Sequence, residues 1–479
     1  MGTTAIALSI KTSGESDYFN QHGAVLSATL FARNAYLADG WAKNVRLSWG
    51  ADGDLTEVIC DATPDAHEVQ EEFVLPGMIN LHSHAFQRAM AGMTEIAGEG
   101  PDSFWTWRDL MYRMALQITP EQMEAIAAQL YMECLRHGYT SVCEFHYLHR
   151  ALDGGFYANM AETAQRVIAA AHTTGMGISM LPVLYSFADF GDVPLRHDQR
   201  CFSTNTEQIL QLISQLETAR NGQVEVGVAP HSLRAANVAQ IKELVAALPA
   251  NRPIHIHIAE QQREVDACIA HSGKRPVQLL LDTQQVDHRW CLVHATHLDK
   301  AELAAVAASK AVAGICTTTE GNLGDGFFDL PDYIAAQGRF GIGSDSHASQ
   351  SPIEELRWLE YGQRLRLQGR NIASQAGQRR VGDFLWHASL QGGAQASGRQ
   401  VGQLAIGKRA DMLVLDDQHP NLQGLPVADL LNTWIFAGND NLVRDVRVGG
   451  RPVVQHRRHV EQDRIQGGYA DCMRVLRQS

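Results

Sequence analysis

The chain has 479 residues, 45% of them hydrophobic and 19% charged, and a formal net charge of -13. This length calls for one large domain plus a smaller one, and the composition is that of an ordinary globular enzyme. The acidic balance, with no basic stripe, excludes a nucleic-acid surface, and no apolar run is long enough to span a bilayer.

Residues 1–24 are polar and weakly patterned, and are expected to form a loose arm. Met1 to Lys11 lacks the charged start and cleavage site of a signal peptide. From ATLFARNAYLADGWAKNVRLSWGADGDLTEVI onward the pattern becomes short alternating runs broken by Gly and Asp, the texture of antiparallel strands. That texture returns in GQLAIGKRADMLVLDD and VRDVRVGGRPVVQHRRHV. Two strand-rich ends around a different middle predict a small β-sandwich domain built from residues 25–75 and 402–465, with a C-terminal helix over 466–479.

The middle, residues 76–401, alternates short apolar runs with helix-patterned segments. Its strand candidates are GMINLHSH, TSVCEF, GISMLPVLYS, VEVGVAPHS, PIHIHIAE, RWCLVHATH, AVAGICTTTE and RFGIGSDSH. Between them lie helical stretches such as TPEQMEAIAAQLYMECLRHG, with a Thr cap and a Gly stop. Eight βα units predict an α/β fold of the (β/α)8 TIM-barrel type. A doubly wound open sheet is the competitor, but no glycine-rich phosphate loop follows the first strand. The eight cysteines form no C-x-x-C pair. Several, such as Cys291, sit in apolar runs and read as buried free thiols, which fits a reducing cytoplasm.

Polar residues collect at the C-terminal ends of these strands, where barrel enzymes place their chemistry. His82 and His84 end the first, and residues at i and i+2 of a strand share one face. Glu144, His146 and Tyr147 follow the second strand, His231 the fourth, His257 and Glu260 the fifth, His294 the sixth and Asp345 the eighth. Any one such histidine is more often a hydrogen-bonded structural residue than a ligand; the habit repeated across strands favours a metal. His82, His84, His257 and Asp345 are the expected ligands, three imidazoles and a carboxylate suited to one divalent ion, Zn²⁺ or a neighbour. His257 is preferred to His255, which lies deeper and reads as packing or as a support behind the ligands. No rim lysine offers a bridging carbamate, so one ion is expected rather than two.

The segments PGMINLHSHAF, HIHIAE, VHATH and GIGSDSH resemble the amidohydrolase superfamily, and GQLAIGKRADMLVLD is similar to the segment that returns to its small β domain. More narrowly, HSHAFQRAMAG, SFWTWRDLMYR, APHSLRA and TTTEGNLGDG resemble the formimidoylglutamate deiminase family. The resemblance spans nearly the whole chain after the arm. It implies metal-dependent hydrolysis of N-formimidoyl-L-glutamate to N-formyl-L-glutamate and ammonia. It implies catalytic roles for Glu260, His294 and Asp345, and substrate contacts at Gln87, Arg108, Tyr147, His231 and Arg234. Read from the residues alone, Arg108 belongs to an exposed helix and Tyr147 to core packing, whereas Arg234, three residues past His231, already points to function.

The SFWTWRDLMYRM insert reads equally as a lid or as a hydrophobic helix packed over the barrel mouth. TTTEGNLGDGFFDLP reads as a pocket wall, and lacks the lysine and helix cap of a phosphate loop. The alternatives are a deaminase of guanine or another purine, and a non-catalytic scaffold on the same fold. A small-molecule substrate and a homodimer are the expected partners.

Overall fold

The computed structural model describes residues 28–97, 100 and 103–478; the expected arm lies outside the described residues. Strand β1 (Ala28–Leu37) turns back antiparallel into β2 (Gly40–Trp49), which pairs with β3 (Leu55–Ile59). Strand β4 (Val69–Pro76) runs parallel to β1, an exception to the antiparallel expectation. It is followed by β5 (Met78–Ser83), β6 (Tyr139–His146), β7 (Gly177–Leu184), β8 (Val224–Val226) and β9 (Ala229–Pro230). Then come β10 (Ile254–Ile258), β11 (Trp290–His294), β12 (Val312–Ile315) and β13 (Arg339–Ile342). The chain closes with β14 (Met412–Leu415), β15 (Val443–Val448), β16 (Arg451–Gln455) and β17 (Arg458–His459).

Strands from both ends join one eight-stranded sheet in the order β17-β16-β15-β14-β4-β1-β2-β3. Its own small core includes Leu30, Val45, Leu47, Val74, Met412 and Val414. It forms a single hydrogen-bonded path. The terminal helix starts at Gln462 and ends at Leu476, ahead of the expected 466.

The middle strands form two parallel arcs, β5-β6-β7-β8 with β9 beside β7, and β10-β11-β12-β13. Lone parallel bridges, Val228 to Ile254 and Ser83 to Asp345, link the arcs at both margins. Parallel neighbours need a crossover, and helices supply it between successive strands. The helix Pro120–His137 shows why the boundaries were readable. Thr119 and Gln122 form a reciprocal capping box, Pro120 opens the first turn, and Gly138 closes it at φ 104. A cap of this kind contributes about 1 kcal/mol.

The strand expected over VEVGVAPHS is split into β8 and β9. The break falls at Gly227, where an added Cβ would lie 2.6 Å from the Pro253 carbonyl oxygen. The neighbouring arc passes too close for a side chain there. Strands β5, β6, β7, β10, β11 and β12 are buried along their length. Their polar ends therefore have only each other, or a ligand, to satisfy them. No helix among the described residues is long and apolar enough to cross a membrane. All eight cysteines are free, seven buried and Cys60 exposed.

Candidate active site

The parallel arcs deliver His82, His84, His257 and Asp345 to one point. The Nε2 atoms of His82 and His84 lie 3.1 Å apart, those of His84 and His257 3.3 Å, and those of His257 and His82 3.0 Å. Asp345 Oδ1 is 3.4 Å from His82 Nε2 and 3.3 Å from His84 Nε2. Donors held tetrahedrally at about 2.1 Å from a cation stand about 3.4 Å apart, so these spacings fit one ion. All four side chains are buried. Burial pushes the His82 imidazole down to about 3, and lowers those of His84 and His257. Neutral imidazoles with lone pairs converging on one point are the form a metal takes.

Two rings are fixed from behind. His84 Nδ1 lies 2.9 Å from the Phe145 carbonyl oxygen, and His257 Nδ1 3.0 Å from that of His231. An N–H given to a carbonyl sets the tautomer that leaves Nε2 free. The turn bearing His82 and His84 is anchored by Glu144, whose carboxylate accepts from Ser83 Oγ at 2.7 Å, Ala85 N at 2.7 Å and Tyr131 Oη at 3.0 Å. His255 contacts the Ala396 carbonyl oxygen at 2.8 Å and stays in the core, as expected. His146 turns to Thr163, 3.0 Å away, and does not join the cluster.

The strand exits carry backbone strain. Ala259, His294, Ala295 and Asp345 all have φ between 47° and 66°. Non-glycine residues enter this left-handed region at a cost, and such outliers gather where side chains must be aimed.

His294 stands beside the cluster in a different setting. Its Nε2 is 3.6 Å from Glu260 Oε1 and 3.8 Å from Asp345 Oδ2, and its Nδ1 is 3.4 Å from Glu320 Oε1. Burial alone would lower its pKa, but Glu260, the Glu320 hydrogen bond and Asp345 raise it to about 10. Burial lifts the Glu260 carboxyl to about 7, against the charge of His294. Burial opposes ionisation of Asp345 as well, yet the hydrogen bond of His82 and the charge of His294 hold it below the carboxylate range.

The same pocket is lined by Gln87, Arg108, Tyr147, His231 and Arg234, so every residue expected to touch substrate is brought together there. Gln87 Nε2 donates to Tyr147 Oη at 2.9 Å. The insert is a helix, Phe104–Ala115, that supplies Phe104, Trp107, Arg108, Met111 and Tyr112 to the wall. Trp105 serves as a plate for cations: the Arg108 guanidinium is 4.4 Å from its ring centroid and that of Arg234 5.7 Å. Arg234 is buried, Arg108 half-buried, and the Nε of each has no hydrogen-bond partner among the described residues. Two planar cations with spare donors suit two carboxylates.

Sequence reading missed Glu320 and Asp325. Both lie in TTTEGNLGDG, read only as a wall, of which Thr317–Leu323 is a short helix. That helix turns Glu320 inward to His294, a position that glycine-rich texture does not reveal.

The amidohydrolase family profile matches residues 73–453, and the profile of the N-terminal domain of formimidoylglutamate deiminase HutF matches residues 27–72. Formimidoylglutamate deiminase of Pseudomonas aeruginosa is 53% identical over 450 residues, 94% of this chain and 99% of that protein. The crystal structure of an amidohydrolase from Brucella melitensis superposes with a TM-score of 0.89 at 43% identity, over 94% of this chain and 99% of that one. An adenosine deaminase from Xanthomonas campestris, solved with bound zinc, shares the fold at a TM-score of 0.78 and 20% identity, over 94% of this chain and 99% of that one. The chain belongs to the amidohydrolase family, within the branch of the formimidoylglutamate deiminases.

Proposed function

We propose that this protein hydrolyses N-formimidoyl-L-glutamate to N-formyl-L-glutamate and ammonia, a step of histidine degradation. The observation that carries the reading is the pairing of a neutral three-histidine, one-carboxylate cluster with two arginines of unspent donors in one pocket. A guanine deaminase would share the cluster, but a neutral heterocycle has no use for two guanidinium groups.

His82, His84, His257 and Asp345 would hold one divalent ion, and the donor set and spacing favour Zn²⁺. When bound, that ion supplies acidity to a coordinated water, lowering its pKa to roughly 7. The protein does the rest. Arg108 and Arg234 clamp the two carboxylates, with Gln87, Tyr147 and His231 on the remaining surface of the substrate. Asp345 takes the proton that water loses on adding to the amidinium carbon. His294, charged and beside both carboxylates, orients the nucleophile and balances the oxygen's developing charge. Glu260 pairs with the amidinium and carries a proton to the departing nitrogen, because ammonia leaves far more readily than amide ion.

The bridges at both margins support reading the two arcs as one closed eight-strand barrel. The separate small core supports a sandwich-like end domain around residues 25–75 and 402–465. Buried thiols and the absence of a long apolar helix among the described residues favour the cytoplasm, and a homodimer is the proposed assembly.

The test is ammonia release by metal-replete protein from N-formimidoyl-L-glutamate, guanine and cytosine in parallel, with metal analysis. Turnover of the amidine alone, with about one equivalent of metal, is expected. Guanine turnover of comparable efficiency would overturn the reading, and metal-free protein of full activity would overturn the mechanism.

A further inference from the structure

Asp325 lies just past the helix Thr317–Leu323 and takes no part in the chemistry above. It is buried, 5% exposed. Gln261 Nε2 donates to its Oδ1, so the carboxyl is fixed at one end. Its other oxygen, Oδ2, is buried with no hydrogen-bond partner among the described residues. An unmet buried carboxyl oxygen is costly, and calls for an explanation.

Two residues of the substrate pocket stand close to this carboxyl. One polar atom each of Glu260, His294 and Asp325 lie within 4.8 Å of one another. Three atoms so spaced share a point within about 2.8 Å of each, which is hydrogen-bond length for a nitrogen. Glu260 and His294 face the substrate pocket. Burial, then the nearby Glu260, push the Asp325 carboxyl up to about 10, so it ionises and turns acceptor when a cation such as the amidinium enters beside it.

We propose that Glu260, His294 and Asp325 enclose the subsite of the departing nitrogen, and that Asp325 is a further catalytic residue whose Oδ2 receives an N–H of that nitrogen. The proposal rests on the deiminase reading. The amidinium terminus carries two N–H bonds, one for Glu260 and one for Asp325. After addition, the adduct's O–H proton passes through the Glu260 carboxylate to nitrogen. The oxygen lone pair closes the C=O bond, and the C–N bond breaks with its electron pair on nitrogen. The NH3 so formed takes up the proton held by Asp345 and leaves as NH4⁺. Through this change Asp325 keeps one N–H in place, so the nitrogen's lone pair faces the proton it must receive.

Asp325→Asn and Asp325→Ala are compared with wild type on N-formimidoyl-L-glutamate and on its terminal N-methyl analogue, which releases methylamine. Asp325→Asn is expected to lower kcat by roughly 10- to 100-fold with KM within about threefold, the pattern of an interaction made in the transition state. Asp325→Ala opens the subsite. It should raise the ratio of kcat/KM for the methyl analogue over the parent by roughly tenfold, a ratio that a purely structural defect would leave alone. If either variant fails to give a wild-type thermal melt, Gln261→Leu is measured instead, and a kcat fall of roughly threefold or more is expected from the freed carboxyl. A kcat for Asp325→Asn within twofold of wild type, an unmoved ratio, or an unchanged kcat for Gln261→Leu would overturn the subsite. Wild-type protein that releases no ammonia would overturn the deiminase reading with it; active wild type beside indifferent variants overturns the subsite alone.

Discussion

His257 and His294 stack nearly parallel, with ring centroids 5.5 Å apart, yet their surroundings push the two imidazoles' pKa values in opposite directions. Burial and the neighbouring rings of His82, His231 and His84 keep His257 neutral. Glu260, Glu320 and Asp345 keep His294 charged despite equal burial. One residue type on one floor of one pocket meets two electrostatic settings, and the carboxylates make the difference. Burial supplies the sensitivity, because in a dry site each neighbouring charge is strongly felt.

The comparison breaks most completely if the neutral set is cut. His257→Ala should abolish metal retention and lower kcat/KM by more than about 1,000-fold, checked by metal analysis and ammonia release. Full metal content in that variant would remove His257 from the ligand set. On the charged side, Glu260→Gln should keep its metal while kcat falls by roughly 100- to 10,000-fold. Metal loss there would make Glu260 a ligand rather than a proton carrier. Away from both, Arg234→Met should raise KM by roughly 10- to 100-fold with a smaller change in kcat, because a substrate carboxylate would face no partner. An unmoved KM refutes the clamp.

The smallest effect sharpens the role of burial itself. Glu355 sits under the helix Thr317–Leu323, accepts from Thr317 Oγ1 and Thr318 N, and is raised by burial from 4.5 to about 8. A carboxyl raised on folding holds its proton after the unfolded chain has lost its own. Its favourable contribution is therefore full below about 4.5, and is lost as pH climbs through about 8. Glu355→Gln should flatten the decline in Tm between those values by several degrees. Parallel Tm curves for the two proteins would show that Glu355 is not the group responsible.

The metal cluster was legible because its residues punctuate strands. In HIHIAE and GMINLHSH the apolar alternation itself says which way each imidazole faces, and the helix Pro120–His137 announced both its ends. The carboxylate-rich side of the pocket was only half legible. Glu260 and His294 sit on strand exits, but Glu320 and Asp325 come from a loop whose aim depends on packing. Trp105 was visible as an aromatic but not as a plate for the guanidinium groups of Arg108, Arg234 and Arg263, since no periodicity links those positions. Arg108 was read through family likeness and Arg234 from its place three residues past His231, and the structure supplies the reason: a common pocket and unmet donors among the described residues. The split of β8 from β9 was hidden because the close approach at Gly227 comes from Pro253 on another element.

The end sheet has a bearing on synthesis. Strand β4 pairs along one side with β14, Val74 against Val414, so its partner leaves the ribosome only after the whole middle of the chain. Until then the nascent protein carries an unpaired β-edge, an invitation to sticking between neighbouring copies. Recombinant chains truncated before residue 412 should therefore clump rather than yield a working barrel, and slower translation of the last segment should lengthen the hazard.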